Sequence, residues 1–600
     1  MRMIEYLHKD SLGPVIERDM NIPLGPSGFA LESGETLPGL SIRYETYGTL
    51  NDKGDNAVWI CSPLTADAHV AGFYKPDDKK VGWWDALIGK GKAIDTDRLF
   101  VVCSNILGGC KGTTGPASKD PRTGKPYGSH FPKITIGDMV HAQKALADNL
   151  GIRHLYCVIG GSMGGFQAMK WAIYYPGFTD RCIIIASSSR FSSQALGFEI
   201  VGRDIITQDP DYNGGDYYDG KIPAAGLANA RKLAHITYLS AVGMEKKFRR
   251  AEDKEQHSHA TVAYRTPFDM DIPLESYLRY QGAKFVSRFD ANSYLHVSRA
   301  TDTFDLETEY GSLENAFKNV KAEVLNVNLS TDWLFPPHES RKITNALLNT
   351  GKTVTSLELD TAFGHDGFLI EVGSLGKSVG RFLNTQFTRE TASEKVVTAF
   401  RDKEDYGILD KVIPEKARVL DLGCGDGTLI ATLRKHKNIT GVGIEKNETS
   451  ILDCLEKGVP VLQKDLDGGL ADIASDSFDV AILNRTLQEI REPVELLRQI
   501  LRVAKRVVIT FPNFGHWTVL AGLLLRKRMP KSDELPYEWY NTPNIHLFTI
   551  RDFTALCKEE NLKIERRVIM NDKLSSKILT GIGFETLGAE RVIAVVSKNS

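Results

Sequence analysis

Short runs with no polar interruption recur along the first part of the chain. They fall at residues 57–60 (Ala-Val-Trp-Ile), 99–102 (Leu-Phe-Val-Val), 155–159 (Leu-Tyr-Cys-Val-Ile) and 182–186 (Cys-Ile-Ile-Ile-Ala), and strand runs that also carry polar residues resume at 324–328 (Val-Leu-Asn-Val-Asn) and 354–359 (Val-Thr-Ser-Leu-Glu-Leu). A strand with one wet face alternates apolar and polar residues. These runs do not, so they predict parallel strands covered on both faces. Helix-like segments separate them, among them residues 137–150. Residues 190–310 break the pattern: they are helix-like, rich in Tyr, Arg and Asp, and poor in strand runs, and predict an insertion over the sheet. A polar, aperiodic stretch at 386–395 is the expected linker. A second series of runs then begins at 417–422 and continues at 440–444, 478–483, 506–511 and about 590–596. The expectation is α/β throughout: one domain over 1–385 and a doubly wound, Rossmann-like one over 396–600.

Composition narrows the class. Six hundred residues exceed what one core organises, in agreement with two domains. A net charge of −2 gives no reason to expect nucleic acid or an anionic membrane as partner. No apolar run reaches membrane-spanning length, and the first ten residues lack the apolar core of a signal peptide. Eight cysteines without a C-x-x-C pair argue against a zinc site and a dense disulfide framework, and fit a reducing cytoplasm.

Gly160-Gly161-Ser162-Met163-Gly164 follows the 155–159 run and precedes a helix expected at 166–174. G-x-S-x-G between strand and helix is a nucleophile elbow, whose small residues permit a tight turn that presents the serine at the C-terminal sheet edge. A serine hydroxyl needs a base, and in this architecture an acid and then a histidine follow it along the chain. Asp332 stands in the loop after the 324–328 run and His365 in the loop after 354–359. His365 would take the Ser162 proton, while Asp332 orients the imidazole and stabilises its cation. An oxyanion hole needs two aimed amides; Met163 supplies one, and Leu64, in the loop at 62–67, the other.

With residues 44–51 (Tyr-Glu-Thr-Tyr-Gly-Thr-Leu-Asn), 82–85 (Gly-Trp-Trp-Asp), 105–110, 115–118, 124–128, 235–240 and 332–337, these motifs resemble the homoserine O-acetyltransferase (MetX) family over about the first 385 residues. The resemblance implies an α/β-hydrolase fold with a helical lid at about 190–310, a homodimer, and no metal. It implies acyl transfer from acyl-CoA to the hydroxyl of L-homoserine through an acyl-serine. It also implies that Arg231 and Asp366 hold the acceptor, as a zwitterion requires a cation and an anion. Residues 64–69 (Leu-Thr-Ala-Asp-Ala-His) resemble the Leu-Thr-Gly-Asp-x-His loop of acetyl-using members, with Ala66 in place of glycine. Acetyl-CoA is the expected donor, and succinyl-CoA the alternative. Hydrolysis stays open, because the triad itself does not exclude water.

In the second series, Asp421-Leu422-Gly423-Cys424-Gly425-Asp426-Gly427 joins a strand to a helix. It resembles motif I of S-adenosylmethionine-dependent methyltransferases. By that resemblance Asp421, Gly423, Gly425, Glu445 and Asp465 are the expected cofactor contacts. Residues 441–445, 486–488, 511–517, 528–530, 535–540 and 542–547 resemble the methionine-biosynthesis protein MetW family from about 400 to 596. That family implies a partner supporting the acyltransferase, here on the same chain, where fusion raises effective concentration. Three readings stay open for this half: a support in contact with the first half, a sensor of S-adenosylmethionine, or a working methyltransferase with His516 and Trp517 lining an acceptor site.

Overall fold

The computed structural model describes residues 9–248, 272–384, 404–529, 531, 535–571 and 574–599. The chain divides into two compact units, Met1–Leu383 and Asn384–Ser600. The linker expected at 386–395 lies outside the described residues.

The first unit is built on strands β1 (Arg18–Asn21), β2 (Ser41–Tyr47), β3 (Ala57–Cys61), β4 (Phe100–Ser104), β5 (Leu155–Gly161), β6 (Arg181–Ile185), β7 (Glu323–Leu329) and β8 (Val354–Leu359). Their lateral order is β1-β2-β4-β3-β5-β6-β7-β8. From β4 to β8 every pairing is parallel, and β1 and β2 add antiparallel at one end. The parallel strands are the ones that the apolar runs predict, and β3, β5 and β6 are buried along their whole length. Sequence patterning does not reveal β1 and β2. β1 is largely exposed, and β2 alternates between partial and full burial for most of its length, so neither reads as an apolar run.

Helix α1 (Ile136–Asn149) starts at a capping box in which Thr135 and Asp138 satisfy each other's amides. Helix α2 (Met163–Tyr174) begins at Met163, three residues before the expected start. Trp171 of α2 lies 5.7 Å from Trp59 of β3, ring centre to ring centre, and both are fully buried. Between β6 and β7 come helices α3 (Ser193–Thr207), α4 (Ala224–Tyr238), α5 (Ala241–Phe248), α6 (Pro273–Val286) and α7 (Ala291–Asp302), with no strand among the described residues. This insertion has its own small core, with Ile206, Leu227, Phe285 and Tyr294 buried together. Helix α8 (Pro337–Asn349) joins β7 to β8.

The second unit has strands β9 (Arg418–Leu422), β10 (Thr440–Glu445), β11 (Val461–Gln463), β12 (Phe478–Asn484), β13 (Ala504–Pro512), β14 (Leu562–Met570) and β15 (Arg591–Lys598). Their order is β11-β10-β9-β12-β13-β15-β14. The first five pair in parallel, and β15 runs antiparallel between β13 and β14. Order reverses at β9, which places a ligand crevice at the C-terminal end of that strand. The glycine motif lies there, between β9 and helix α9 (Thr428–Lys437). This is the doubly wound, methyltransferase-like arrangement. Sequence patterning misses β11, which is only three residues long, and β14, in which only Met570 is fully buried.

Candidate active site

Ser162 sits between β5 and α2 with φ 58° and ψ −128°, a conformation that costs a non-glycine residue on the order of 1–3 kcal/mol. The turn is possible because its neighbours lack side chains. A Cβ on Gly160 would lie 2.1 Å from the Gly164 carbonyl oxygen, and one on Gly164 would lie 2.3 Å from that of Cys61. The Ser162 amide donates to Ile185 of β6 at 2.9 Å and fixes the turn to the sheet.

The three residues expected at strand ends come together. His365 Nε2 lies 2.8 Å from Ser162 Oγ, and His365 Nδ1 lies 2.7 Å from Asp332 Oδ2. Asp332 Oδ1 accepts from the amides of Leu334 and Phe335 at 3.0 and 2.9 Å, so its carboxylate is held in one orientation. Asp332 is an acceptor only, so Nδ1 carries the proton and Nε2 is left to accept from the serine hydroxyl. His365 and Asp332 are both buried, and the imidazole lies between the rings of Phe335 and Phe368 at 5.1 and 5.5 Å.

A cavity of about 350 Å³ opens beside Ser162, and Leu64, Met163, Arg231 and Asp366 all line it. Arg231 reaches it from α4. Its guanidinium lies 4.7 Å from the Phe285 ring centre and 5.4 Å from that of Tyr238, and Nη1 donates to Thr65 Oγ1 at 3.3 Å. Burial pushes the Asp366 carboxyl up, against the opposing pull of His365 and Arg231. The insertion also supplies Glu199, Tyr238 and Arg288 to the wall. Sequence reasoning named none of the three as site residues, although Tyr238 lies within the quoted 235–240 segment. His69, from the 64–69 loop, is another lining residue. Its Nδ1 lies 3.3 Å from the buried Glu45, and its ring stacks on Tyr74 at 4.2 Å. Desolvation lowers the His69 pKa, but Glu45, Asp67 and Glu17 outweigh it and leave it raised.

In the second unit Gly423, Gly425 and Gly427 all have positive φ (74°, 54° and 74°), and open space surrounds a Cβ position at Gly425. Glu445 ends β10, where one carboxylate oxygen accepts from the Gly425 amide at 3.0 Å and the other from Lys446 and Asn447 at 2.9 Å each. Asp421 is buried, and its Oδ1 has no partner among the described residues. Asp465 is exposed and caps a turn by accepting from the Asp467 amide. His516 is buried and bonded to Thr518 and Ser576, whereas Trp517 is partly exposed at the start of a helix. The His516 ring nitrogens are thus engaged within the fold.

The fold and the site define the class of the first unit: an α/β-hydrolase protein whose serine, histidine and aspartate are hydrogen-bonded in series. The model of the alpha/beta hydrolase fold matches residues 79–371, and that of methionine biosynthesis protein MetW matches 403–594. The bifunctional methionine biosynthesis protein MetXA/MetW of Rhodopirellula baltica is 43% identical over 552 residues, covering 90% of this chain and 87% of that one. A homoserine O-acetyltransferase of Methanosphaerula palustris is 49% identical over 61% of this chain and 73% of its own. Among solved structures, homoserine O-acetyltransferase from Bacillus anthracis superposes with a TM-score of 0.56 at 29% identity, over 62% of this chain and 98% of that chain. Esterase E22 gives 0.55 at 30% identity, over 62% and 100%. The chain belongs to the MetXA/MetW family, a MetX-type homoserine O-acetyltransferase domain joined to a MetW domain.

Burial, with Glu445 nearby, pushes the Asp421 carboxyl up to about 7. The fold therefore binds this proton more tightly than the unfolded chain does. Its stability falls as pH rises from the usual carboxylate range to about 7, and stays lower above that. Asp421→Asn removes this dependence. In urea unfolding the second unit of the variant should exceed wild type by roughly 2–4 kcal/mol at pH 8 and match it near pH 3.5. An equal gain at both pH values would assign the effect to packing instead.

Proposed function

We propose that the first unit transfers an acetyl group from acetyl-CoA to the hydroxyl of L-homoserine, giving O-acetyl-L-homoserine and CoA for methionine biosynthesis. The observation that carries this reading is the Ser162–His365–Asp332 series opening on a cavity that holds Arg231 and Asp366. His365 Nε2 takes the Ser162 proton as Oγ attacks the thioester carbonyl. The amides of Met163 and Leu64 receive the oxyanion. Collapse expels the CoA sulfur, which leaves with the proton from His365, and the acetyl group stays on Ser162. Homoserine then enters with its carboxylate on Arg231 and its ammonium on Asp366. Its hydroxyl gives a proton to His365 and attacks the acyl-serine, and His365 returns that proton to Ser162. The resemblance to esterase E22 favours a second outcome, attack by water. We read the insertion, whose residues line the cavity, as limiting water access to the acyl-serine, which favours the ester of homoserine over free acetate.

In the second unit Asp421 and the open loop at Gly425 suit a ligand bearing hydrogen-bond donors, such as S-adenosylmethionine. Glu445 fits only in part, because three amides already use its carboxylate. Asp465 keeps one oxygen for such a ligand. The cofactor would supply a methyl group or, as a ligand alone, a signal. We assign this unit a supporting or regulating role toward the first.

Ser162→Ala should lower CoA-thiol release from acetyl-CoA plus homoserine by ~10⁴-fold or more with the fold intact by circular dichroism. Turnover near wild type would remove Ser162 as nucleophile. Chain ended at residue 384 should make O-acetylhomoserine more slowly than the full chain, and an equally active fragment would end the supporting role. Titration calorimetry should detect S-adenosylmethionine binding to the full chain and none to Gly423→Arg. Equal heats from both proteins would place the binding elsewhere.

A further inference from the structure

The cavity beside Ser162 holds a carboxyl group that the reaction above does not use. Glu199 lies on α3 of the insertion and lines the same cavity as Arg231, Tyr238 and Asp366. Its Oε2 is buried and has no hydrogen-bond partner among the described residues. Tyr294 bonds to the side chain, and Arg203, the cation beside it, is ion-paired with Asp302. Burial, with Asp302 as a like-charged neighbour, pushes the Glu199 carboxyl up to about 7, while Arg203 pulls the other way. Tyr238 lines the same cavity, with the Arg231 guanidinium 5.4 Å from its ring centre.

Two carboxyls line one cavity, and the unmet Glu199 oxygen suits a ligand that brings N–H donors. Arg231 is in the cavity, but it is the group suited to the acceptor's carboxylate. An ammonium has three donors, and a single carboxylate rarely satisfies all of them. Resting on the acyl-transfer reading, we propose that Glu199 is a specificity-determining residue that shares the ammonium of the amino-acid acceptor with Asp366. An acceptor with hydroxyl and carboxylate but no ammonium leaves both carboxyls unpaired, which is how a polar pocket rejects an analogue strongly.

The test compares homoserine with 4-hydroxybutyrate, which keeps the hydroxyl and the carboxylate and lacks the ammonium. In Glu199→Gln the ratio of kcat/KM for homoserine over 4-hydroxybutyrate should fall at least tenfold, mainly through the KM of homoserine. The burst of CoA thiol from acetyl-CoA alone should stay within twofold of wild type, because the donor step does not involve the ammonium site. Glu199→Asp, which keeps the charge, should retain most of the ratio and guards against a glutamine variant that does not fold. An unchanged ratio in Glu199→Gln overturns the proposal. So does loss of the burst along with the ratio, which would mark Glu199 as a prop of the fold. A wild-type enzyme with a burst but no product from homoserine refutes the acceptor reading itself, and this proposal with it.

Discussion

Everything in the first unit hangs on the close crossing of β5 and α2 at the Ser162 turn. The Cβ positions of Gly160 and Gly164 are occupied by backbone from the other side of the turn and from β3. Only hydrogen atoms fit there. Because the backbone can come this close, the serine takes up its strained φ and stands at the sheet edge next to a helix N-terminus. The strain persists because the sheet over-determines it: the Ser162 amide bonds to β6, and α2 is fastened to the core by Trp171.

Around that turn the sheet and the insertion divide the work. The strands place Ser162, Asp332 and His365 at the ends of β5, β7 and β8, where a rigid parallel sheet fixes their separation. The insertion contributes groups suited to a substrate, namely Arg231, Tyr238, Glu199 and Arg288. Asp366, next to His365 in the loop after β8, joins them in the same cavity, so the wall is drawn from both parts of the fold. The fold alone does not decide the reaction: its structural relatives include both a homoserine O-acetyltransferase and an esterase.

Sequence alone carries the triad and the central strands, for a physical reason. Strands covered on both faces are rich in apolar residues, although β7 and β8 also bury Asn326, Asn328, Thr355 and Ser356, and a catalytic series in a fixed chain order needs only strand ends to be placed. The edges escape. β2 alternates, β14 has one fully buried residue, and β11 is too short to register. Arg231 is legible only through resemblance, since a lone arginine on a helix resembles any solvated charge. Glu199 is invisible for the same reason: on an insertion helix with exposed neighbours, nothing local shows that one of its oxygens is buried. In the second unit the motif locates the glycine turn. It does not show that Glu445 ties down that turn by accepting from its own loop amides.

The 203 residues that separate Ser162 from His365 have a consequence for how the protein is made. The nucleophile leaves the ribosome well before its base, with the whole insertion in between. At translation rates of about 5–20 residues per second, this leaves roughly 10–40 s in which the elbow exists without an imidazole. During that interval Ser162 is an ordinary alcohol with no base beside it. The chain gains its reactivity only when the last strand of the first sheet docks, so completing the fold is also the step that arms it.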